Sequence, residues 1–277
     1  MQSETRLQAV PTAADSWTDM GTIITVPAGV QRIAKVRVAV APDWGTAAVS
    51  VRHAPVYRIR GSGLLEQDPH SYMGAFGGVS VVTTAGLQEE NTFVEYDVDI
   101  PVQVSGTITA QVNSLDEAIT AGSTYIVLVY DNEAAKAPNS QSDYVDAAGT
   151  TTADAWTTVG TFTVPRQAEG KSPTKIRSVI CAVAEDQGTS AISLRLASRF
   201  RLTGAGLGEG GDHQFIGPTG TSAHNGTSAS QGVSHSKNTV VYDVPIPVNP
   251  GGQILAEHIF DIETPTASTV AVGLLYS

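Results

Sequence analysis

The chain has 277 residues, of which 16 are basic and 27 acidic, for a formal charge of −11 and a pI near 4.9. Hydrophobic residues make up 41% and charged residues only 16%, enough apolar material for a packed core, which excludes intrinsic disorder. The negative balance excludes broad electrostatic attraction to phosphate, so no direct nucleic-acid partner is expected, and a single cysteine, Cys181, excludes an internal disulfide or a thiolate zinc cluster.

The first ten residues, Met1 to Val10, are polar and hold no apolar stretch of signal-peptide type, and no later run reaches the roughly 18 residues that span a bilayer. Beyond the first ten residues, β-rich stretches fall near residues 20–26, 32–41, 47–53, 55–60, 71–83, 92–99, 102–113 and 123–130, most bounded by Gly, Pro or Asp. Ile33-Ala-Lys-Val-Arg-Val-Ala-Val40 alternates in the manner of a half-buried strand. Residues 133–148, polar and broken by Pro138, read as a linker. A second series follows near 158–164, 175–184, 190–196, 199–203, 213–217, 238–244, 252–261 and 268–276, and no segment carries a helical stripe.

The two series are copies. Asp15-Ser-Trp17 answers Asp154-Ala-Trp156, and Ile33 to Leu64 aligns without gaps on Ile176 to Leu207 at a constant offset of 143. His70-Ser-Tyr72-Met-Gly74 meets His213-Gln-Phe215-Ile-Gly217 at the same offset, and Tyr96-Asp97-Val-Asp-Ile100-Pro101 meets Tyr242-Asp243-Val-Pro-Ile246-Pro247 at 146. A unit of about 120 residues is far longer than a solenoid or propeller repeat, so each copy is expected to be a domain with its own core. The expectation is an all-β chain of two tandem, eight-stranded sandwiches of jelly-roll type, at 1–132 and 149–277, with other Greek-key sandwiches open.

Residue types that carry chemistry do not assemble into a catalytic pattern. The six histidines form no close ligand pair; His70 and His213 are equivalent between copies and read as histidines packed beneath loops. Alternation places Asp97 and Asp99 on one strand face, while Asp243 repeats Asp97 and Pro245 replaces Asp99; calcium would need further converging oxygens. Gly61-x-Gly63 and Gly204-x-Gly206 lack the following helix of a phosphate loop and read as turns or bulges. Cys181 lies in an apolar strand and reads as core. Trp17 and Trp156 are expected to pack in the core or against a neighbouring subunit, Trp44 sits in a turn, and the Gly/Ser/Thr-rich excursion at 207–235 is expected to be exposed or to reach a neighbour. No catalytic, cofactor-binding or metal-binding residue is assigned, and no enzyme activity is expected.

Two fused, helix-poor sandwiches with matching starts and divergent long loops resemble the double jelly-roll coat proteins of icosahedral viruses. The resemblance is architectural, covering nearly the whole chain without a signature motif. It implies side-by-side sandwiches, polar first residues that form an arm reaching an adjacent subunit, a homotrimer that mimics a hexamer, residence in the virion, and as partners other copies of the chain, other coat proteins or an internal membrane. From a different class, a tandem carbohydrate-binding or lectin-like module using Trp44 or Tyr72 remains open, as does an extracellular sheath or filament subunit.

Overall fold

The computed structural model describes residues 3–9, 13–43, 49–65, 69–81, 93–118, 121–136, 141–149, 152–166, 172–186, 192–224, 239–265 and 267–277. Among these residues the chain forms strands and turns and no helix. Trp44 and residues 225–235 of the 207–235 excursion lie outside the described residues.

The second half shows the architecture most plainly. Its eight strands are β12 (Gln141–Ala148), β13 (Thr157–Thr163), β14 (Lys175–Asp186), β15 (Ile192–Thr203), β16 (His213–His224), β17 (Thr239–Pro247), β18 (Gln253–Phe260) and β19 (Ala267–Tyr276). One sheet runs β12-β19-β14-β17 and the other β13-β18-β15-β16. Counted within the unit these orders are first-eighth-third-sixth and second-seventh-fourth-fifth, which is the jelly roll and decides among the Greek-key alternatives.

The first half repeats this plan with shorter pieces: β1 (Ser3–Ala9), β2 (Thr18–Asp19), β3 (Ile24–Thr25), β4 (Arg32–Asp43), β5 (Val49–His53), β6 (Pro55–Arg60), β7 (His70–Met73), β8 (Gly77–Val81), β9 (Phe93–Pro101), β10 (Thr107–Ser114) and β11 (Ala121–Asp131). Its sheets run β1-β11-β4-β9 and β2-β10-β6-β7, with β3 also on β10 and β5 paired to β8. Register is conserved along with order. A bulge separates Ile33 from Lys35 on β4 and, 143 residues on, Ile176 from Ser178 on β14.

Two expectations need correction. The first residues are not a free arm: Ser3–Ala9 pairs antiparallel with β11, Ser3 opposite Tyr130. The segment read as a linker contains β12, which pairs with β19 in the equivalent register, Gln141 opposite Tyr276. Both strands are polar and lie at a sheet edge, where one row of backbone groups suffices to hold them, so composition hides them.

Each sandwich closes on its own apolar residues. Tyr57, Ile59, Val36, Val38, Ile126 and Leu128 fill the first core; Phe162, Phe200, Leu202, Val179, Val272 and Leu274 fill the second. The first cluster also takes in Ile180, Ala182, Ala184, Ala271 and Leu275 from the second unit. These project from the face of β14 and β19 opposite to Val179, Cys181, Val183 and Val272, so this sheet is apolar on both sides and lies between two layers.

Candidate functional site

The junction between the sandwiches is where that double-sided sheet meets the first unit. β12 packs on β7, and β14 on β5 and β8. Gly273, on β19, has no side chain because Met73 fills the space: a Cβ there would lie 2.9 Å from Met73 Sδ and 3.4 Å from Ile180 Cβ. Thr239 Oγ accepts a hydrogen bond from Phe76 N at 3.0 Å and donates to Gly74 O at 3.2 Å. Arg177 donates to Asp97 O, and Thr269 donates to the Asp116 carboxylate. The contact is thus an apolar centre of Met73, Phe76, Ile180 and Leu275 with polar ties around it.

His70, Tyr72, Val98 and Ile100 of the first unit form a notch at this junction, closed by Gln141, Ser142, Arg177, Leu275 and Tyr276 of the second, which leaves a cavity of about 10 Å³. Burial holds the His70 imidazole neutral, its pKa lowered to about 4. The equivalent notch of the second unit, lined by Glu209, Asp212, His213, Gln214, Phe215, Val244, Pro245 and Ile246, is open, with a volume of about 410 Å³.

The histidine pair thus marks one structural place in both copies, covered in one and uncovered in the other. Its support is duplicated too. Tyr96 Oη donates to Met73 O at 2.5 Å and Tyr242 Oη to Ile216 O at 2.6 Å; the Tyr72–Tyr96 and Phe215–Tyr242 rings lie 5.3 and 5.4 Å apart at similar tilt.

Asp97 and Asp99 do not share an environment. Asp97 is exposed and meets Lys35 at 3.1 Å, whereas Asp99, beyond the bulge, is buried against Arg32 at 2.8 Å and accepts the Lys136 backbone N–H at 2.6 Å. Arg32 also binds Asp131 at 2.8 Å. These ties hold the chain as it leaves the first sandwich, which accounts for Pro245 at the equivalent place in the second. Asp243 accepts from Ser178 Oγ at 2.8 Å. Among the described residues no group of three or more His, Cys, Asp or Glu side chains is placed to hold a metal ion.

The glycine pairs are turns. Gly61 and Gly204 have φ of +130° and +119°, and Gly63 donates to Thr107 O at 2.9 Å as Gly206 does to Gln253 O at 2.8 Å. Trp17 lies half-buried under the Arg58 guanidinium, 4.0 Å from its ring centroid, and Trp156 under Arg201 at 4.4 Å. Both are therefore stacked on cations at the outer face of the second sheet. Cys181 is buried, and burial pushes its thiol pKa well up, away from nucleophilic reactivity.

Reading the histidines alone passes over Met73 and Ile216, equivalent residues of which one is buried and the other exposed. A signal for the junction was present. The outward residues Lys35 and Arg37 of the first copy become Ser178 and Ile180 in the second, and a strand apolar on both faces is a strand covered on both faces.

No family model and no curated protein matches the chain. Among solved structures, it is similar to a chain from the atomic structure of Sulfolobus Turreted Icosahedral Virus, at 11% identity over 99% of this chain and 90% of that one, with a TM-score of 0.45. It is similar to peptide-N(4)-(N-acetyl-beta-D-glucosaminyl) asparagine amidase at 9% identity over 99% and 96%, with a TM-score of 0.40. A third likeness is to the stem and receptor binding domain of the spike protein P1 from bacteriophage PM2, at 10% identity over 99% and 96%, with a TM-score of 0.26.

Proposed function

We propose that the chain is a self-assembling structural protein, a viral capsid subunit whose three copies form a pseudo-hexameric capsomer, and that it has no catalytic role. The observation that supports this reading is the lateral junction itself. Two jelly rolls, one near 1–132 and one from 141 onward, associate through an apolar contact between the β7–β8 flank of the first and the β12-β19-β14 sheet face of the second. Each side of that contact has an equivalent in the other unit: β16, where Ile216 is exposed, and the outer face of β4 and β9, where Phe93 is exposed. A contact between non-identical surfaces propagates head to tail, and closes into a ring when its rotation allows. Three chains present six such units. A net charge of −11 fits a shell that meets other coat proteins or an internal membrane in place of naked genome.

Negative-stain microscopy of the purified chain tests the reading. Rings or closed shells of uniform size are expected; single compact particles at every concentration would overturn it.

A further inference from the structure

From the internal duplication we infer that a second copy of this chain docks the outer face of its β1-β11-β4-β9 sheet on the β16 flank of the second sandwich, seating Ile216 against Val127 and closing the His213 notch. The inference rests on the assembly reading above and adds to it the two surfaces and their register.

The junction inside the chain supplies the pattern. Met73 is 1% exposed because the β14–β19 face covers it; Ile216, its equivalent, has the same backbone support from a tyrosine hydroxyl and is 63% exposed. A large aliphatic side chain held rigidly in the open is an anchor without its pocket.

The surface that covers Met73 has an equivalent as well, on the outer face of the first sandwich's own β1-β11-β4-β9 sheet. Gly273 opposes Ile180 in the β14–β19 ladder, and Val127 opposes Arg37 in the β4–β11 ladder, 146 and 143 residues earlier. Val127 is half-buried, and Val129, the counterpart of Leu275, is already covered within the chain, so the contact centres on Val127. Phe93 stands where the second copy has Thr239 and is 52% exposed. Thr239 is the residue that ties to Gly74 and Phe76; Phe93 would lie in the same register over Gly217 and Thr219.

The two faces are not identical, and the difference has a direction. The uncovered face carries Lys35, Arg37, Glu95 and Asp97 in a ladder of ion pairs, with Lys35 and Arg37 each 2.6 Å from Glu95. The covered face has buried Ser178 and Ile180 in place of Lys35 and Arg37, with Val241 and Asp243 exposed at its rim in place of Glu95 and Asp97. A permanent junction within the chain is apolar, and a junction between chains that must stay soluble before assembly is charged. The open notch of about 410 Å³ at His213 matches the place that the start of β12 closes in the first unit. By register, β1 holds that position in the next copy, Ser3 opposite Tyr130 as Gln141 is opposite Tyr276.

The test is a double variant, Ile216→Cys with Val127→Cys, treated with a short bismaleimide and resolved by mass under denaturing conditions. Covalent dimers and trimers are expected from the double variant and not from either single variant; buried Cys181 stays unmodified. If the double variant forms rings or shells but no covalent multimers, the docking register is wrong and the assembly reading stands. If Ile216→Cys alone yields a covalent dimer, the contact is isologous and the head-to-tail inference is overturned. If the unaltered chain is monomeric throughout, both fall. As a second measurement, Ile216→Lys, at an exposed position that does not disturb folding, should weaken association by at least about tenfold; unchanged association would contradict the docking surface.

Discussion

Met73 and Gly273 occupy one space: the thioether of the first sandwich lies where the second would otherwise have a side chain, 2.9 Å from an added Cβ. Val127 at the equivalent place shows that the strand itself accepts a β-branched residue. Gly273→Val should therefore cost about 1–3 kcal/mol through overpacking of the junction alone, and Gly273→Ala less, because the Met73 terminus can shift. Urea denaturation of both variants checks the order.

Gly61 and Gly204 make a second paired prediction. A Cβ at Gly61 would strike Thr107 O, and one at Gly204 would come within 2.6 Å of Gln253 O, at values of φ that L-residues rarely adopt. Either Gly→Ala change should destabilise by roughly 2 kcal/mol or more. Thermal melts of the two variants should shift by similar amounts, since the turns are copies.

His70 sets a pH window. Its pKa is lowered to about 4 by burial, against about 6.5 in the unfolded chain. The unfolded chain takes up a proton that the folded one refuses as pH falls through this range. Stability from this group is complete above about pH 6.5, is lost progressively toward pH 4, and levels off below it, a change of order ~3 kcal/mol. His258, between the rings of Phe200 and Phe260, has a pKa lowered to about 3 and extends the loss further into acid. Denaturation at pH 7.5 and pH 4.5 should show His70→Gln losing less stability than the unaltered chain; an equal loss would rule out His70 as a source.

Arg32 joins Asp99 and Asp131 where the chain leaves the first sandwich. Arg32→Met would leave Asp99 buried without its cation and should cost roughly 1–3 kcal/mol, the figure kept modest because the arginine is partly solvated. Adding Asp99→Asn should recover part of the loss in a denaturation experiment.

Much of the fold can be read from the chain because duplication lets each copy vouch for the other. Alternation in Ile33–Val40 and the matched Gly61 and Gly204 turns point to a sandwich, and strand order then makes it a jelly roll. β1 and β12 escape detection because edge strands need no apolar signature. The opposite fates of Asp97 and Asp99 depend on a bulge that period-2 counting cannot place. The site is less legible. His70 and His213 stand out by type, yet the residues that differ in consequence are Met73 and Ile216, both merely apolar; only which layer covers them tells them apart.

The most direct measurement is the mass in solution by sedimentation velocity across a wide range of protein concentration. Head-to-tail association predicts passage from 28.8 kDa chains to a three-chain species and larger closed assemblies. A single 28.8 kDa species at every concentration and ionic strength would contradict the account.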